Sequence, residues 1–61
     1  MRYVISIDVE NDAFQPRRAD EVARILREHA DLVARYGLLK GDCNLLYDAN
    51  GNLVGEANMV N

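Results

Sequence analysis

The chain has 61 residues, a net charge of −3 and a pI near 4.8. A domain of this size buries only about 60% of its unfolded surface, so little volume is left for a substrate pocket. The negative balance argues against binding nucleic-acid phosphates, which calls for concentrated positive charge.

Cys43 is the only cysteine, so an internal disulfide cannot form and the thiol fits a reducing compartment. No apolar run is long enough to span a membrane. Asp8, Glu10 and Asp12 interrupt the stretch where a signal-peptide core would lie. A soluble intracellular protein is the expectation.

Residues Tyr3 to Val9 alternate, with Tyr3, Ile5, Ile7 and Val9 on one side and Val4, Ser6 and Asp8 on the other. That period of two predicts a half-buried strand. A polar connection, Glu10 to Gln15, carries Phe14, which is expected to tuck under the sheet as a lid on the core. Pro16 suits the first turn of a helix, where a missing N–H costs nothing. The helix is predicted to run to about Tyr36 and stop at Gly37. Val22, Ile25, Leu26, His29, Ala30, Leu32, Val33 and Tyr36 recur at spacings of three and four, which gives one apolar stripe. Charges four apart, Asp20-Arg24-Glu28 and Arg27-Asp31-Arg35, occupy the other side. Arg17 and Arg18 oppose the helix dipole. A loop follows, in which Leu38 or Leu39 plugs the end of the core.

Tyr47-Asp48-Ala49-Asn50-Gly51-Asn52-Leu53 reads as a hairpin turn between strands at about Asn44–Asp48 and Asn52–Met59. The Asp48 carboxylate can accept bonds from backbone N–H groups just ahead, and Gly51 supplies a positive φ. A three-residue loop pairs Tyr47 with Leu53, Leu46 with Val54 and Leu45 with Gly55. A two-residue loop leaves Leu46 opposite Gly55. The first matches apolar with apolar and is preferred.

The predicted fold is α+β, ordered β-α-β-β: a three-stranded, mainly antiparallel sheet with the last strand central and one helix packed on one face. A right-handed parallel crossover between the first two strands is the alternative. In the preferred register Leu45, Tyr47, Leu53, Ala57 and Met59 meet the helix with Tyr3, Ile5, Ile7 and Val9. Val4, Leu46 and Val54 then form an apolar cluster on the uncovered face, rimmed by Ser6, Asp8, Glu56 and Asn58. Such a cluster suggests an interface, either in a homodimer or with a larger protein.

Other sites are weaker. Asp8, Glu10 and Asp12 alternate at a strand end, where they could gather a hard cation, form an acidic contact patch or simply be solvated. The Asp48 turn lacks the calcium-loop pattern, because Leu53 and Met59 stand where Gly and Glu are required. His29 and Cys43 are the only residues for a thiol–imidazole pair, and nothing in their spacing joins them. No catalytic residues, metal or cofactor are expected. The helix arginines are interleaved with Asp and Glu, which mostly cancels a basic face.

The chain resembles a group of small proteins encoded by bacteriophages and prophages. The resemblance rests on Ile7-Asp8 followed by Asn11, Ala13 and Phe14, then Glu21-Val22-Ala23-Arg24-Ile25-Leu26-Arg27, and finally Leu46-Tyr47-Asp48-Ala49-Asn50-Gly51-Asn52-Leu53-Val54-Gly55. It covers nearly the whole chain. The chain departs from the group in its longer helix-to-hairpin loop with Leu38, Leu39 and Cys43. The resemblance implies a compact accessory protein and carries no catalytic residues over. By analogy in size and acidity, such a protein binds and blocks a host protein, as inhibitors of host defence systems of the anti-CRISPR kind do. The expected function is therefore non-enzymatic protein–protein binding. Val4, Leu46, Val54, Asp8, Glu10 and Asp12 are the candidate contact residues. A self-associating structural or regulatory phage protein and a small DNA-binding regulator are the alternatives.

Overall fold

A computed structural model describes residues 1–38 and 44–61. Strand β1 (Arg2–Ile7) leads through a short 3-10 turn (Asp12–Phe14) to helix α1 (Arg18–Tyr36), and strands β2 (Asn44–Tyr47) and β3 (Leu53–Val60) follow. The sheet order is β1-β3-β2 and both pairings are antiparallel. The fold is thus α+β with the last strand central. The two outer strands do not pair directly, as the parallel alternative would require; both run antiparallel to β3, and α1 connects one to the other across it.

The helix begins two residues after Pro16. Arg17 stands at the N-cap in a non-helical conformation without a side-chain cap, and it forms an ion pair with Asp20 at 2.6 Å. That pair accounts for one of the two arginines at the positive end of the dipole; being exposed, it is worth little. Gly37 ends the helix with φ of 79°, and its N–H donates to the Val33 carbonyl at 2.8 Å. Ile25 and His29 are buried, whereas Leu26, Leu32 and Tyr36 stay exposed. The apolar stripe is therefore wider than the surface the small sheet offers it. Leu38 is also exposed rather than a plug. Leu39 and Cys43 lie outside the described residues.

The hairpin closes as a three-residue loop. The Asp48 N–H donates to the Asn52 carbonyl at 2.9 Å, the Gly51 N–H donates to the Asp48 carbonyl at 3.0 Å, and Gly51 has φ of 83°. Tyr47 pairs with Leu53 as predicted. Beyond that pair the register slips: Leu46 lies opposite Gly55, Leu45 opposite Glu56 and Asn44 opposite Ala57. Val54 has no counterpart on β2, so β3 carries a β-bulge there.

The bulge overturns the predicted assignment of faces. A shift of one residue moves side chains to the opposite side of a sheet. Leu46 and Val54 are buried with Phe14 and Ile25 in the core, and Ile7, Val9, Ala13 and Val22 pack around them. Leu45, Tyr47 and Leu53, expected under the helix, are 48%, 48% and 58% exposed. Phe14 is fully buried, as its role as a lid requires. Ala57 is buried as well. At Gly55 the strands approach so closely that a Cβ would stand 2.0 Å from the Ser6 carbonyl oxygen. Val54 fills the interior beside a position where no side chain fits.

Candidate functional site

Two polar networks look functional at first sight, and both are explained by folding. In the first, Asp48 is buried and its carboxylate accepts the backbone N–H groups of Asn50 (2.8 Å) and Asn52 (2.9 Å) and the side-chain amides of Asn11 (2.8 Å) and Asn52 (3.2 Å). Burial pushes this carboxyl up. The bonds from Asn52, Asn11 and Asn50 outweigh it, and the net displacement is downward. Asn11 in turn caps the 3-10 turn, its Oδ1 accepting the Ala13 N–H at 2.9 Å. Glu21 works alongside. It accepts Arg24 through both oxygens, at 2.9 and 2.8 Å, and the Ala49 N–H at 2.8 Å. The forked bond from Arg24 holds the Glu21 carboxyl below its usual value, against burial. Arg24 continues to Glu28 at 2.9 Å and to the Tyr47 carbonyl at 3.3 Å. These groups tie the turn, the 3-10 segment and the helix together.

The second network surrounds His29. Its ring stacks on Tyr3, and its Nε2 lies 2.5 Å from the Tyr3 hydroxyl. The Asn44 amide donates to that hydroxyl at 3.4 Å and to the Ala57 carbonyl at 3.2 Å. With Asn44 donating to the Tyr3 oxygen, the Tyr3 O–H is free to donate to His29 Nε2. His29 is buried, and its Nε2 is engaged by the Tyr3 hydroxyl.

The acidic trio does not form one cluster on a strand face. β1 ends at Ile7, and Asp8 turns back so that its Oδ1 accepts the Glu10 N–H at 3.0 Å. Asp12 opens the 3-10 turn. Among the described residues no group of three or more His, Cys, Asp or Glu is placed to hold a metal ion.

What remains is the side of the sheet that the helix leaves bare. The pairings Leu45–Glu56 and Tyr47–Leu53 on one flank, with Val4–Asn58 and Ser6–Glu56 on the other, put these side chains on that side. Leu45, Tyr47, Leu53 and Val4 are its exposed apolar members. A shallow depression over the bulge lies between Leu45, Leu53, Ser6, Asp8 and Glu56. Of the six residues predicted to make contacts, Val4 and Asp8 belong to this surface. Leu46 and Val54 belong to the core, because the bulge turns them inward. Glu10 and Asp12 are exposed on the connection after β1. Reasoning from the sequence missed Leu45, Tyr47 and Leu53. The signal that could have found them was Gly55, a glycine inside a strand pattern, which marks a bulge or a close backbone approach.

No family model matches the chain, and no curated protein or solved structure matches it either.

Proposed function

We propose that the protein acts by binding another protein through the bare face of its sheet, without catalysing a reaction. The observation that carries this reading is the group Val4, Leu45, Tyr47 and Leu53, exposed on a face that the helix does not cover and bordered by Asp8 and Glu56. An apolar centre with a polar, acidic rim fits a partner that offers apolar and basic side chains. Buried His29 and the fully engaged Asp48 and Glu21 support a non-enzymatic role. Arg17 and Arg24 are neutralised by Asp20, Glu21 and Glu28, which supports protein over nucleic acid. No helix among the described residues is long and apolar enough to cross a membrane. The resemblance to phage and prophage proteins supplies the setting: an accessory protein in a bacterial cytoplasm that obstructs a host protein, with defence complexes as the first class to test.

The test is affinity capture from bacterial lysate with tagged wild type beside a Leu45→Lys/Leu53→Lys variant. Both positions are exposed, so the variant retains its helical circular dichroism. The expected result is a host protein held by the wild type and lost with the variant. Identical captured sets from both would refute this surface.

A further inference from the structure

β1 is an edge strand, and its open side carries hydrogen-bonding groups in a defined pattern. The Asp8 N–H donates to the Val54 carbonyl on β3 at 2.7 Å, in the same register as the β1–β3 ladder. Backbone groups alternate in direction along a strand. Even-numbered residues of β1 therefore bond to β3, while Tyr3, Ile5 and Ile7 point their N–H and C=O groups away from the sheet. Among the described residues nothing receives them.

The side chains along this edge are self-complementary. Arg2 stands at one end of the bare face and Asp8 at the other, both exposed, and neither is in an ion pair among the described residues. Asp8 uses Oδ1 for the Glu10 N–H, which leaves Oδ2 uncommitted. Ile5 points to the helix side yet remains 38% exposed. β1 also lacks the usual protections of an edge, a proline or an inward lysine.

We infer that β1 pairs antiparallel with β1 of a second copy of this chain, centred on Ile5, to give a six-stranded sheet. An antiparallel ladder must match outward-bonding residues with each other. Centring on Ile5 satisfies that rule: Ile5 meets the partner's Ile5, and Tyr3 meets the partner's Ile7. The same register sets Arg2 opposite the partner's Asp8 at both ends, in positions where facing side chains come closest. Centring on Val4 places Arg2 opposite the partner's Ser6. Centring on Ser6 places Val4 opposite the partner's Asp8 and calls for Arg2 to meet the partner's Glu10, which lies past the end of β1, folded back onto Asp8. The contact is isologous and closes as a two-fold dimer. It uses the strand edge and does not depend on the reading of the bare face.

Sedimentation equilibrium from micromolar to submillimolar concentration tests the pairing. The wild type is expected to dimerise. Arg2→Asp, an exposed change, sets like charges opposite each other twice and weakens the dimer roughly tenfold or more. Adding Asp8→Arg restores the attraction with reversed sign and recovers most of the loss. Hydrogen exchange supplies an independent readout: the Tyr3, Ile5 and Ile7 amides gain protection as the protein is concentrated. A wild type monomeric at submillimolar concentration overturns the inference. So does a double variant no tighter than Arg2→Asp, or exchange at those three amides that ignores concentration.

Discussion

Gly55→Ala tests the close approach of β1 and β3. The added Cβ would lie 2.0 Å from the Ser6 carbonyl oxygen, 3.0 Å from the Ser6 carbonyl carbon and 3.1 Å from the Ile7 Cα. All three are backbone atoms, so no side-chain rotation relieves the overlap. An ordinary carbon–oxygen contact needs about 3.3 Å, and β1 would have to retreat by more than 1 Å, roughly, at Ser6. The neighbouring Asp8–Val54 bond, now 2.7 Å, would stretch past useful hydrogen-bonding range. Overpacking costs about 1–3 kcal/mol and a lost backbone bond about 0.5–1.5 kcal/mol. The sum, about 1.5–4.5 kcal/mol, rivals the roughly 3–5 kcal/mol that a core of this size supplies. The variant is expected to melt about 10 °C lower by circular dichroism. Gly51→Ala is the control. A Cβ there meets nothing within 4 Å, so only its positive φ is penalised, by about 1 kcal/mol. Gly55→Ala melting with this control or above it would refute the close strand approach.

Two further outcomes follow from burial and charge. Leu46→Ala should cost about 2–5 kcal/mol, a large share of the stability available, whereas Leu45→Ala, its exposed neighbour, should stay within about 0.5 kcal/mol of wild type. Urea titration of the pair reads the difference, and the reverse order would restore the predicted faces and discard the bulge. Asp48 and Glu21 both titrate below their usual range in the folded protein, so the unfolded chain takes up protons first as the pH falls. Their contribution is whole above about pH 5 and is lost as the pH drops through the lowered folded values. Asp48→Asn should be less stable at neutral pH and lose less on acidification. A melting temperature that falls equally with acid in both proteins would contradict that assignment.

Much of the architecture was legible because it depends on local chemistry. Alternation over Tyr3 to Val9 marked β1. Spacings of three and four marked the helix, and Gly37 marked its end. Asp48 was read as an acceptor for N–H groups ahead of it, and Asn50 and Asn52 supply them. The side assigned to each hairpin residue was not legible in the same way. The molecule uses both candidate registers in turn: the three-residue loop at the tip, then Leu46 opposite Gly55. Apolar matching favours Leu46 beside Val54, yet the Ser6 carbonyl crowds Gly55 from 49 positions away in sequence. No local pattern contains that contact. The same holds for Asn11 with Asp48 and for Tyr3 with His29, whose side chains join distant segments.

The surplus residue in β3 separates two tasks that one set of side chains ordinarily performs together. Without Val54, Tyr47 would still meet Leu53 and Leu46 would still meet Gly55, so the rungs between β2 and β3 would run on unbroken. The interior would instead be left hollow, with a glycine at the place where bulk is wanted. Alignment of the hairpin and filling of the space beneath the helix therefore answer to different amino acids. A shortened chain would keep its stitching and lose its stuffing.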